Sequence, residues 1–333
     1  MIICKINPKT PFHLGLEDDL EISEHYIHSD TLFSGICNAF RLLYGSEGLN
    51  DFLESYKNNP VFFSSAFPYI KDILLFPLPK SLDLSKHTIS HELKKFQKIE
   101  FVSEIIFKDI ITGKDISEYL KEENLIQKGM VLLTKEEKEK YNILNIWNER
   151  EIPRSVIDRE THDLDIYHFK EVSFLKSCGL FFLIDFNNSE YKEKIIASIR
   201  LHGDEGIGGD RSYGKGLFSV EFRDYSLKAY QKGNNFITLS LYYPQDLEMD
   251  KISFLDSYYE LILRKGWIYS QDGKSMRRKT IRMFSEGSVF KYENLKEPLG
   301  RLVDVTPEEF FMHKIYRYGY AFSVRVWGNE GER

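Results

Sequence analysis

The 333-residue chain reads as an α+β protein with antiparallel sheets in two modules, the first of them ferredoxin-like. Three observations predict this. Short apolar strands and helical stretches alternate through the first two thirds, in the order strand–helix–strand, insertion, strand–helix–strand. The last third is strand-rich and carries few helix signals. The polar stretch Lys232-Gly233-Asn234-Asn235 lies between them as a linker. The expected division is therefore 1–231 and 235–333.

Met1–Ile6 is a short apolar strand. At His28-Ser29-Asp30-Thr31 a helix begins, with Ser29 placed to cap free N–H groups and Asp30 suited to the first turn. Leu32, Phe33, Ile36, Cys37, Phe40, Leu43 and Tyr44 follow at helical spacing, and Gly45 ends the run. Val61–Pro79 is aromatic, broken by prolines, and reads as a hairpin. Residues 81–148 are rich in Lys and Glu and weakly patterned, which predicts a helical surface insertion with runs such as Lys135–Lys140 facing solvent. Val172–Leu175 and Gly179–Phe186 are strands. Ser189 caps a helix over Tyr191–Leu201, and Leu217–Arg223 alternates as a half-buried strand. Phe236–Tyr243, Tyr258–Ile268, Lys279–Phe284 and Tyr316–Trp327 supply the strands of the second, smaller module.

Composition bounds the function. Hydrophobic residues make up 42% and charged residues 29%, enough to bury a core. The 25 Phe and 20 Tyr belong mainly in cores and interfaces. No eighteen-residue apolar window predicts a membrane span, and MIICKINPK lacks the pattern of a secretory signal. Cys4, Cys37 and Cys178 are odd in number and far apart in apolar surroundings, so three core thiols in a reducing cytoplasm are expected, not a disulfide framework or a zinc site. No cofactor, metal or small-molecule substrate is indicated. The net charge of −6 excludes a protein that binds nucleic acid over its whole surface; any such contact must be local.

Two stretches supply local basic chemistry. The loop 203–216 holds six glycines in 14 residues, against 21 in the whole chain. Glycines at 206, 208, 209, 214 and 216 permit positive φ and close backbone approach, a run that can turn successive N–H groups into an anion-binding nest. Arg211, Ser212 and Lys215 add charge and a hydroxyl. The loop fails two nucleotide patterns. Gly209–Gly214–Lys215 is followed by Gly216 where a P-loop has Ser or Thr, and Gly206-x-Gly208-x-x is followed by Arg211. The loop alone leaves phosphate binding and a purely structural turn both open. The second stretch is Arg264, Lys265, Lys274, Arg277, Arg278, Lys279 and Arg282, seven basic residues against the single acid Asp272. It carries +6, so the remainder carries −12, the asymmetry expected of a protein that grips RNA at one place. A charged, defended strand edge has the same composition.

Glu151–Lys170 adds Arg154, Arg159, His162, Tyr167 and His168, groups that hold phosphates or stack on bases, and a surface hairpin fits equally. His13, His25, His28, His162 and His168 raise metal-independent RNA cleavage, but the sequence sets none beside a partner.

HSDTLFSGICNAF at 28–40, PRSVIDRET at 153–161, GIGGDRSYGKGLF at 206–218, FSEGSVF at 284–290 and HKIYRYGYAFSV at 313–324 together resemble one branch of the RAMP superfamily. It is the fourth-named subunit family of the Csm complex, the type III-A CRISPR effector. The resemblance runs along nearly the whole chain and is least specific over 81–148. It implies two ferredoxin-like, RRM-related modules, the second degenerate. It implies a non-catalytic subunit in antiviral defence that holds the 5′ handle of the CRISPR RNA. The polymerase-like large subunit and a backbone RAMP subunit would be its partners. Carried onto this chain, Gly208, Gly209, Arg211, Ser212 and Lys215 would line the handle, His28 and Ser29 would start the helix beside it, and 151–170 with Arg154 and Arg159 would be a thumb-like hairpin. The resemblance gives no roles to Arg277, Arg278, Lys279 and Arg282; those rest on charge. A sibling RAMP that cuts precursor CRISPR RNA and a pure protein scaffold are the competing readings.

Overall fold

The computed structural model describes residues 1–16, 19–86, 93–157, 164–187, 190–227, 235–269, 276–294 and 296–327. Residues 232–234 of the expected linker and the Ser189 cap lie outside them, and Asn235 opens a strand. The first part of the chain forms β1 (Ile2–Pro8), α1 (Ser29–Ser55), β2 (Phe67–Ile70), β3 (Ile73–Pro77), β4 (Phe101–Ser103), α2 (Glu104–Ile111), β5 (Val131–Leu132), β6 (Trp147–Ile157), β7 (Leu164–Phe174), β8 (Cys178–Asp185), α3 (Lys192–Glu205) and β9 (Phe218–Asp224). The main sheet runs β9-β1-β8-β2-β3-β4-β5. Every neighbouring pair is antiparallel except β4 and β5, which are parallel, so the sheet is mixed where the sequence predicted an antiparallel one.

Side chains of β1 and β8 point alternately to the two faces of this sheet. Ile2, Cys4, Ile6, Leu180, Phe182 and Ile184 meet α1 and α3 on one face. Ile3, Phe181 and Leu183 meet the insertion and the second part of the chain on the other. A strand buried on both faces reads as a continuous apolar run, and CGLFFLI in β8 is such a run.

Two expectations are corrected and one is extended. Gly45 (φ 76°, ψ 176°) ends the first helical run, as expected, and a second follows it directly within α1. The chain re-enters a helix up to Ser55 because Phe52 stacks on Phe40, with centroids 4.9 Å apart, and Tyr56 is buried beside them. Ser29 is not the cap; His28 holds that position, without a side-chain capping bond, and Ser29 is the first helical residue. Residues 81–148 are not a helical surface layer. They give β4 and β5 to the main sheet, and Phe96, Phe101, Val102, Ile106 and Phe107 to its core. The helix Lys135–Tyr141 does stay on the surface, opened by a capping box at Thr134. Of the three free thiols, Cys4 and Cys178 are buried and Cys37 is half-buried.

The second part forms β10 (Asn235–Thr238), β11 (Ile252–Tyr258), β12 (Leu261–Arg264), β13 (Ile281–Phe284), β14 (Val289–Tyr292), β15 (Leu302–Asp304), β16 (Tyr316–Tyr318) and β17 (Ser323–Val326). The sheet β11-β14-β10-β17 stands beside the hairpins β12-β13 and β15-β16. Ile237, Leu239, Phe322, Val324 and Val326 pack into the same apolar cluster as Phe181 and Leu183 of the first part, so the two parts share a core.

A buried polar junction also joins them. Asp30, in the first turn of α1, is fully buried. Arg264 grips it with both arms, Nε to Oδ2 at 3.0 Å and a terminal nitrogen to Oδ1 at 2.9 Å, and Arg317 donates to Oδ2 as well. Burial would push the Asp30 carboxyl up, but the two guanidinium groups outweigh it and hold it far below the carboxylate range. Beside it, His28 Nδ1 lies 2.9 Å from Glu286 Oε1 and Nε2 lies 3.1 Å from Glu24 Oε1. Burial opposes the imidazolium, yet Glu286, with help from Glu24, raises the His28 pKa to about 10. Ser65 donates to Glu286, the Ser29 N–H donates to Ser65 Oγ, and the Leu241 N–H donates to Ser29 Oγ at 3.0 Å.

Removing one partner of such a set strands the others in low dielectric. Asp30→Ala is expected to destabilise the protein by about 3–5 kcal/mol, read from the urea midpoint. A histidine raised from its unfolded value of about 6.5 stabilises fully below that pH, and the contribution is lost as pH climbs through about 10. The unfolding free energy of the wild type therefore falls over that window, and His28→Gln, less stable throughout, shows a flatter profile there.

Candidate nucleic-acid interface

The helix α3 ends at Gly206, and the glycine loop turns back under the N-terminal segment 11–14. Three glycines are required by contact. A Cβ at Gly208 (φ 87°) would meet the His13 carbonyl at 2.2 Å, one at Gly216 (φ 74°) would meet the Ile207 carbonyl at 2.0 Å, and one at Gly206 (φ 83°) the Lys215 carbonyl at 2.7 Å. Gly209 donates to the His13 carbonyl and Gly216 to that of Pro11, each at 2.9 Å. Gly206, Ile207, Tyr213, Gly214 and Lys215 also donate to protein carbonyls. The continuous anion nest expected from the glycine run is thus not formed; the loop spends most of its N–H groups on holding its own shape.

What the loop does present is one wall of a cleft of about 420 Å³. Gly208, Gly209 and Arg211 form that wall. Thr31, Ser34 and Asn38 of α1 form the floor, and the run Lys265–Tyr269 with Arg278 forms the opposite wall. A smaller groove of about 280 Å³ continues from it past Gly35, Asn38, Arg41 and Gly45. The glycine loop and the basic segment, separated in sequence by residues 217–263, therefore line the same cleft.

Arg211 lies over the Tyr269 ring, 4.2 Å from its centroid, and Arg277 over Trp267 at 5.2 Å. Arg278 reaches Ser34 Oγ at 3.4 Å and donates its N–H to the Gly266 carbonyl. His202 of α3 is buried at the junction of the two grooves, and burial, with the nearby Arg211 charge, lowers its pKa to about 3, so it is neutral. Gly35 permits this approach, since a Cβ there would meet His202 Nε2 at 2.1 Å.

Other expected residues fall elsewhere. Ser29 has no exposed surface and is not among the lining residues, whereas His28, almost fully buried, lines the cleft beside Thr31. Lys215 pairs with Glu171, a buried carboxylate of β7. Arg264, counted in the basic cluster, is neutralised by Asp30. Ser212 is exposed, and Gly214 (φ 75°) has open space around it. Lys279 and Arg282 are exposed outside the cleft lining. Arg154 lies on β6, in register with Tyr167 of β7, while Arg159 and His162 lie outside the described residues. Sequence reasoning missed Trp267, Tyr269, Asn38 and His202. For the first two the signal was present, an alternation Trp-Ile-Tyr after Gly266, but it was read only as strand.

Of the histidines that raised cleavage, His13, His25 and His28 are held by partners, His168 is exposed, and His162 lies outside the described residues. His13 Nδ1 is 2.6 Å from the Lys170 carbonyl, and His25 stacks on Trp147 and meets Glu100 at 2.8 Å. Among the described residues, no cluster of His, Cys, Asp and Glu could hold a metal, and no helix is long and apolar enough to cross a membrane.

Known proteins fit this geometry. Residues 5–219 match the RAMP superfamily, and the chain belongs to that superfamily. Residues 231–326 match the CRISPR Csm4 C-terminal domain. The CRISPR system Cms protein Csm4 of Methanocaldococcus jannaschii is 28% identical over 369 aligned positions, covering 96% of this chain and 95% of that one. The protein of the same description from Thermococcus onnurineus is 27% identical over 338, covering 99% and 98%. A chain of the crystal structure of the Csm3–Csm4 subcomplex in the type III-A CRISPR–Cas interference complex superposes with a TM-score of 0.70 at 22% identity, covering 98% of this chain and all of that one. A chain of the Csm1–Csm4 cassette in complex with pppApA gives 0.62, also at 22%, covering 99% of each.

Because Lys215 balances a buried carboxylate, Lys215→Ala is expected to cost about 1–3 kcal/mol of stability, and Lys215→Ala/Glu171→Gln to recover part of it. Urea unfolding of the two variants measures this.

Proposed function

We propose that this chain is the Csm4-type subunit of a type III-A CRISPR ribonucleoprotein, holding the 5′ handle of the CRISPR RNA in the cleft between the glycine loop and Lys265–Tyr269. The observation that carries the reading is the convergence of these two segments on one groove, with both Arg211 and Arg278 in its lining. Arginines at a groove supply the salt-dependent phosphate term, and aromatic rings supply stacking. The CRISPR Csm4 relatives, and the fold shared with chains seen beside Csm3 and Csm1, support docking to a backbone RAMP subunit and to the large subunit. The subunit acts in the cytoplasm and is non-catalytic: guide pairing supplies sequence specificity, while this chain reads backbone and handle.

The order β9-β1-β8-β2, with α1 and α3 on one face, supports a ferredoxin-like first module over 1–231. The second, 235–333, is a degenerate relative of it, in which the four-residue helix Asp246–Met249 stands where longer helices would pack. Gly206, Gly208, Gly209 and Gly216 shape the loop that presents Arg211. Ser212 and Gly214 lie on the same loop outside the groove lining, and Arg154, with Arg159 beyond the described residues, is assigned to a thumb-like hairpin that presses on the guide. Arg277, Lys279 and Arg282 extend the basic surface beyond the cleft.

The test is binding of labelled RNA with a repeat-derived 5′ handle, in EDTA, across a salt series. Arg211→Ala is expected to weaken binding and to reduce the salt slope by about one unit, while the RNA stays intact. An unchanged slope removes Arg211 from the site. Cleavage at a fixed position overturns the non-catalytic reading in favour of a metal-independent RAMP nuclease.

A further inference from the structure

The wall Gly266–Tyr269 is extended, and its side chains alternate. Ile268 points inward to Val303 and Val305, and its N–H donates to the Met276 carbonyl at 2.7 Å. Trp267 and Tyr269 therefore share the outer face, as residues i and i+2 of an extended chain must, about 6.6 Å apart along it. Both line the cleft, yet they stay 55% and 52% exposed. Two large rings left half in water at the mouth of a groove are an unsatisfied apolar surface. Each is partly covered by a guanidinium, Arg211 on Tyr269 and Arg277 on Trp267. A guanidinium is flat and delocalised, so it covers a ring much as a nucleobase does, and it is equally able to hold a phosphate.

We infer that Trp267 and Tyr269 form a stacking platform for two unpaired nucleobases, with Arg211 and Arg277 as placeholders on it. On binding, bases take the ring faces and the arginines swing to the adjoining phosphates. No covalent step is involved. The inference rests on the RNA reading of the cleft and narrows the ligand to single-stranded RNA with its bases splayed out. A duplex buries its ring faces in its own stack and cannot use the platform. Stacking is tolerant of base identity, so the platform grips without reading sequence.

The full chain is titrated with three probes: an unstructured ten-nucleotide RNA, the same oligonucleotide with abasic sites throughout, and its duplex. Tyr269→Ala is expected to weaken the base-bearing single strand roughly five- to a hundredfold, with the salt slope unchanged because no phosphate contact is lost. Its affinity for the abasic strand should match that of the wild type. Tyr269→Phe retains the ring and restores binding, which separates stacking from misfolding. Tryptophan emission should be quenched by the base-bearing strand and not by the abasic one, and Trp267→Phe should abolish that change. If wild type binds base-bearing and abasic strands alike, the platform is overturned while the RNA reading stands. If no probe binds in a salt-dependent way, the RNA reading fails and the platform with it.

Discussion

One buried carboxylate sets the geometry on which the rest depends. Asp30 has no route to water, and its charge is tolerable only because Arg264 and Arg317 reach it from 234 and 287 residues further along the chain. Arg264 ends the strand β12, which leads directly into the Lys265–Tyr269 wall. Arg317 lies at the middle of β16. Asp30 sits in the first turn of the helix that floors the groove. The ion cluster therefore fixes where floor and wall stand relative to each other. A hydrophobic contact would hold them together with more latitude, since burial of apolar area has no preferred direction.

The second constraint is conformational. The glycine loop keeps its shape by close backbone approach, with Ile207 anchored in the apolar core, and a single Cβ at Gly208 or Gly216 would collide with a carbonyl. Its N–H groups are largely spent internally, so what it presents to the groove is the Arg211 side chain. The sequence pattern of glycines with Arg and Lys suggested a nest; the fold uses the same glycines to build a rigid rim.

The order of strands and helices was legible because β1 and β8 are short apolar runs and α1 and α3 place apolar residues at helical spacing. The two basic stretches were legible as well, and they do line the same cleft. What each basic residue pairs with was not. Arg264 and Arg278 are 14 residues apart in one charged run and both line the groove, yet Arg264 is held by Asp30 and Arg278 reaches Ser34, partners 234 and 244 residues away in sequence. Lys215 was likewise read as available, since its partner Glu171 lies in a strand 44 residues earlier. In the insertion, β4 and β5 are three and two residues long, too short to show alternation, and their pairing with β3 and with each other is non-local.

The paired strands β6 and β7 hold eleven residues in register, a rod about 35 Å long. Its root is clamped beside the groove: Phe12 and Val172 exchange both backbone hydrogen bonds, the Lys170 carbonyl meets His13, and Glu171 holds Lys215 of the glycine loop. A rod seated in this way is a lever, and its fulcrum is the rim itself. Force applied across the rod arrives at His13 and the loop as torque, so a load on the hairpin is transmitted to the rim of the groove.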